Sequence, residues 1–389
     1  MRNPDSEKNY KETERYLKVT RDFAFDNDLM FEELYEDIID FTVYLKKNKE
    51  KIQKFVINSH NAKIELVSCI ENHYAVVWDT EYWKLFEDFL YTFISIDYNI
   101  HYKDEHVKYG YDVDKLNQAH IKYFEVKLLQ HMLDKYRINL SEEHQQAIVE
   151  KEINMLLGTK TPIDMTGYEE LIREKESLSK CIVLMHEFEH ALSVYCPEVK
   201  ERDLELMHIL LEMLHEVDKM NGVNEITLGA NLEMLNPTSI NNQVIKDEIF
   251  GDFHAFIEFV SFYSACSGDN IDKVLSELAV SFIVDLRLLN TFRLYTTTIN
   301  DIMKIIVTYN DYETKSNKIK EYFDNEHRIL SFRPYIVSRL SYFYCQMRIG
   351  DDKELPFGLD DTTYMKQGIE TLFTESMERL IKALPIHVE

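Results

Sequence analysis

Cys181–Pro197 reads CIVLMHEFEHALSVYCP, and within it His186, Glu187 and His190 make an H-E-x-x-H. Ile182, Val183, Leu184, Met185, Ala191, Leu192 and Val194 surround it with helix-compatible apolar residues, and neither Gly nor Pro interrupts the run before Pro197. A four-residue helical spacing puts both imidazoles on one face, one turn apart, where they can reach one tetrahedral Zn2+. Glu187 then sits on the adjacent edge, where a carboxylate can take a proton from water activated by the metal. Glu189 is off pattern, because that position in such motifs is usually uncharged.

Working outward, this helix is expected from about Tyr168 to Tyr195, with Asp203 capping another whose Leu204, Met207, Leu210, Leu211, Leu214 and Val217 form a buried side. Residues 221–243 hold Gly222, Gly229, Pro237 and several Asn, and read as a long loop that could cover a cleft. The apolar stretch VIKDEIFGDFHAFIEFVSFY follows, carrying Asp247, Glu248, Asp252 and His254. Glu248 and Asp252 are one turn apart, and burying two neighbouring carboxylates costs several kcal/mol unless a cation compensates. Zinc fills that role here, with Glu248 as third ligand and Asp252 orienting a ligating imidazole through its second N–H. Asp247, His254, His208 and His215 are the reserve ligands.

Upstream, helices are expected over 7–25, 31–56, 113–135 and 141–157. Two strands are expected in Lys63–Asp79, the second at Tyr74–Trp78 offering an edge for an extended peptide. TEYWKLFEDFLYTFISI repeats aromatics at helical spacing with Thr80 as its N-cap, and Gly158–Gly167 is a break. The basic run Lys46–Lys54 reads as a solvated face. Thr362–Pro385 reads as one amphipathic helix.

Across its 389 residues the chain carries a net charge of −25, which excludes a nucleic-acid phosphate backbone or an anionic membrane surface as partner. No apolar run approaches the roughly 18 residues of a membrane span, and the N-terminus lacks a secretory h-region. Five cysteines, odd in number and without a C-x-x-C pair, fit reduced thiols in a cytoplasmic protein. With only 10 Gly and 7 Pro, the fold class expected is mainly α with a small β-sheet.

HExxH followed by E-x-x-x-D on a later helix resembles the gluzincin metallopeptidases. Ser331–Leu340, SFRPYIVSRL, is similar to the HPxxxxR segment of HtpX-like gluzincins and of the Lit family of phage-exclusion peptidases. Pro334 and Arg339 match in spacing, and Arg333 stands where those families have His. YAVVWDTEYWKLFEDFLYTF also looks like the Lit segment ahead of its metal helix. The long interval between His190 and Glu248 departs from Lit.

The resemblance implies a zincin-like core over 63–345, with a helical insertion at about 200–243, an N-terminal helical region over 1–62 and a C-terminal helix over 346–389. It implies a cytoplasmic endopeptidase with one Zn2+ per chain and a protein or peptide substrate, acting in phage defence and open to an activating partner. Metal would sit on His186, His190 and Glu248, with Glu187 as general base and Arg339 as oxyanion donor. Two other readings stand beside it: a catalytically inactive zincin-fold binding or sensing module, and a metal-free helical interaction protein.

Overall fold

The computed structural model describes residues 4–20, 23–59, 62–68, 73–110, 112–135, 169–220, 240–322 and 328–349. The chain divides into two compact units, Met1–Lys200 and Glu201–Glu389. The described residues are mainly helical with one small mixed sheet, and no described helix is long and apolar enough to cross a membrane. The helix expected over 141–157, the break at 158–167, most of the loop expected at 221–243 and the C-terminal helix lie outside the described residues.

The first unit holds helix α1 (Pro4–Thr20), strand β1 (Phe23–Phe25), helices α2 (Leu29–Phe41) and α3 (Val43–Lys47), and strands β2 (Ile52–Ser59), β3 (Glu65–Ser68) and β4 (Tyr74–Asp79). Helices α4 (Thr80–His101), α5 (Lys103–Lys108), α6 (Val113–Lys135) and α7 (Glu169–Tyr195) follow. Four strands replace the two expected, in the order β1-β2-β4-β3, with β2 parallel to β4 and the outer pairs antiparallel. The helix expected over 31–56 ends early because IQKFVINS pairs as a strand: Ile52, Phe55, Val56 and Ile57 bury one set of side chains. Lys54 lies above the Tyr35 ring and pairs with Glu32 and Glu36, so it is satisfied at the sheet surface. The boundary expected at residue 62 therefore falls between two strands of one sheet. Tyr74–Trp78 is no edge either: β4 is paired on both sides, and the edge next to it is β3.

The β4–α4 junction fixes the inner wall of this unit. Asp79, fully buried, accepts the N–H groups of Ser59 and Glu81, so it caps α4 one position before the expected cap, Thr80, which is the first helical residue. Trp78 stacks on Phe31 at 4.4 Å and on Trp83 at 4.9 Å between ring centroids. Its indole N–H donates to Asp28 at 3.0 Å, and Asp28 also caps α2 by accepting from Phe31. Lys180 of α7 reaches the same carboxylate at 2.9 Å, less than two turns before His186. One acidic side chain thus fixes the start of α2, a core tryptophan and the metal-motif helix.

The second unit contains most of α8 (Pro197–Met220), then α9 (Ile240–Ser267), α10 (Ile271–Thr308), α11 (Tyr312–Tyr322) and α12 (Arg328–Ile349). Helix α8 starts at Pro197 rather than at Asp203, since proline is preset for a first helical turn and the Cys196 carbonyl takes the Val199 N–H. Asp203 is left inside the helix, buried, with its carboxylate 3.2 Å from His254 Nδ1.

Burial alone would raise the Asp28 carboxyl, but the Lys180 ammonium and the Phe31 and Trp78 N–H groups hold it below the ordinary value near 3.9. A depressed folded-state value contributes stability that is present above about pH 4 and lost as the pH falls through it. Asp28→Ala is expected to cost about 2–4 kcal/mol, the sum of a lost cap and of a buried ammonium left with Glu176 as its remaining carboxylate. Urea titration followed by tryptophan fluorescence reads this directly, because the chain's 2 tryptophans are Trp78 and Trp83. Asp28→Asn, which keeps the cap, should lose less and show a weaker acid transition.

Candidate metal centre

Helix α7 is buried on every face from Ser179 to Glu189, as expected of a helix that runs through a core. Ile182, Val183, Leu184, Met185, Phe188, Ala191 and Leu192 supply the apolar contacts, and Phe188 meets Tyr35 at 5.8 Å between centroids. A solvated surface helix with two incidental histidines is therefore excluded. His186 and His190 lie with ring centroids 5.0 Å apart and planes at 87°; His186 is buried and His190 partly exposed.

Glu187 is buried, and its Oε2 accepts the backbone N–H of Leu66 at 2.8 Å. Leu66 lies on β3, the edge strand, so the carboxylate is oriented by a neutral donor from the sheet. Sequence reasoning missed this contact because a backbone N–H carries no residue-type signal. The off-pattern Glu189 has its own explanation: it is completely buried and faces Lys200 at 3.0 Å. A buried charge is tolerated when a partner and hydrogen bonds meet it.

In the second unit, Glu248 and Asp252 share one face of α9, as their spacing predicts. Asp252 is completely buried, and Arg333 of α12 grips it twice, Nε to Oδ2 at 2.7 Å and Nη2 to Oδ1 at 2.9 Å. Arg293 of α10 adds Nη1 to Oδ1 at 3.1 Å. The third nitrogen of Arg333 donates to Glu248 Oε2 at 2.5 Å. Burial would lower the Arg333 guanidinium, but Asp252 and Glu248 hold it above its ordinary value, so it stays charged. This corrects one step: only Asp252 is buried, Glu248 is half-buried, and two guanidiniums compensate the pair, so no metal is required to explain it. The bonds described for Asp252 are to arginines, and its role of orienting an imidazole, expected from its spacing to Glu248, is not among them.

Arg339 is buried on α12, six residues beyond Arg333 and so about a third of a turn round the helix. The guanidinium that reaches Glu248 is Arg333's. Of the reserve ligands, His254 faces Asp203, His208 is exposed and His215 partly buried. His186 and His190 thus stand together on α7 in the first unit, while Glu248, the expected third ligand, lies on α9 in the second.

Removing Asp252 should expose how much rests on it. Asp252→Ala leaves two buried guanidiniums short of a partner and is expected to destabilise the protein by about 3–5 kcal/mol in urea unfolding. A loss below about 1 kcal/mol would mean that the ion pairs are not made in solution.

The chain matches no protein-family model, no curated protein and no solved structure.

Proposed function

We propose that the protein is a zinc-dependent endopeptidase in which His186, His190 and Glu248 hold the metal and Glu187 is the general base. The observation that carries this reading is that His186 and His190 stand one turn apart on the buried helix α7, ring centroids 5.0 Å apart, with the buried Glu187 carboxylate beside them. Two imidazoles and one carboxylate are a donor set suited to zinc, and three protein ligands leave a coordination position open.

Bound there, zinc supplies Lewis acidity that polarises a scissile carbonyl and makes water more acidic near neutral pH. Glu187 takes a proton from the attacking water as its oxygen bonds to the carbonyl carbon. The carbon–nitrogen bond then breaks, and Glu187 passes the proton to the departing amine. The Leu66 N–H holds the carboxylate in one orientation without cancelling its charge. Arg339 as oxyanion donor rests on the gluzincin and Lit resemblance alone. So do the substrate class, a protein or peptide, and the setting, a bacterial cytoplasm and phage defence. The charge of −25 favours a basic or neutral protein surface as target and disfavours nucleic acid.

Elemental analysis of the purified chain is expected to find about one zinc, lost or weakened in His190→Ala and Glu248→Ala. Glu187→Gln should keep its zinc while cleavage of a peptide library falls by about 100-fold or more. Full activity in Glu187→Gln sinks the mechanism. Zinc bound without any Glu187-dependent cleavage hands the case to a binding or sensing module, and a wild type that takes up no zinc after reconstitution to a metal-free interaction protein.

A further inference from the structure

Arg333 is the residue at which the chain departs from the HPxxxxR pattern, and its three guanidinium nitrogens are divided between two carboxylates. Nε and Nη2 make a two-point grip on Asp252, which has no exposure to solvent, while Nη1 extends to Glu248, whose side chain is 33% exposed. A planar fork anchored twice on an immobile carboxylate has its remaining donor fixed in direction.

We infer that Arg333 is a positioning residue for Glu248, holding that carboxylate by Oε2 in one fixed orientation for its role as a metal ligand. This inference rests on the proposed zinc site. A cation beside a metal ligand also repels the incoming ion, and the balance of the two effects decides the sign. Here Arg333 and Arg293 face Asp252 and Glu248, two positive charges against two negative, so the repulsive field is largely cancelled and the orienting effect prevails. A lysine at 333 would restore the charge but not the fork.

The test is the zinc dissociation constant of the full chain by chelator competition, for wild type, Arg333→Lys, Arg333→Gln, Glu248→Ala and the Arg333→Lys/Glu248→Ala double variant. Circular dichroism gives the folded fraction used to normalise each value. Both Arg333 variants are expected to bind zinc about 10–100-fold more weakly, and the double variant no more weakly than Glu248→Ala alone. Arg293→Lys, which alters only the grip on Asp252, should leave the affinity unchanged. Unchanged or tighter binding in Arg333→Lys overturns the inference, as does an equal loss in Arg293→Lys or an additive loss in the double variant. A wild type without zinc, or zinc indifferent to Glu248→Ala, overturns the proposed site itself and this inference with it.

Discussion

A carboxylate with no access to water must be met by cations, and Asp252 sets that condition for the second unit. An unpaired ion at such depth would cost several kcal/mol, a large share of the stability of an ordinary domain. Arg293 and Arg333 meet it from α10 and α12, tying three helices through one side chain of α9. Because the guanidinium of Arg333 has a nitrogen left over, the same constraint that closes the core also decides where Glu248 points. A structural ion pair and a candidate metal ligand are thus not separable features of α9.

The first unit solves a related problem on α7. A helix buried on all faces has to dispose of Lys180, His186, Glu187 and Glu189 along little more than two turns. Lys180 goes to Asp28, Glu189 to Lys200 and Glu187 to the Leu66 N–H, so each charge is met by a group placed by a different element. The two histidines come together one turn apart, as their spacing demands. Burial makes these pairings strong, since the low local dielectric that penalises an unmet charge also strengthens a met one.

How much of this was legible in the sequence follows from what carries each feature. Long apolar periodicities gave α4, α6 and α7 nearly residue by residue, and β3 and β4 showed through their alternation. β2 was hidden by the polar pair Gln53 and Lys54, of which Lys54 meets Glu32 and Glu36, and together they make an eight-residue strand look like the tail of a basic helix. The caps were misplaced at Thr80 and Asp203 because the acidic neighbour and the proline that start those helices act through backbone geometry. The ligand candidates were legible by helical spacing alone. Their partners were not: Arg293 and Arg333 lie 41 and 81 residues from Asp252, and an ion pair over such a separation leaves no local pattern.

Two carboxylates at the candidate site, Glu187 and Glu248, have been given opposite surroundings. Glu248 is held by a guanidinium, which orients it by one of its oxygens. Glu187 accepts the backbone N–H of Leu66, a neutral donor from the sheet that orients it. Environments that push two like groups apart are how a site assigns them different tasks. On the proposed reading the division of labour is therefore already set by the donors around each carboxylate. Exchanging ligand and base would require exchanging those donors, and a swap of side chains alone would not achieve it.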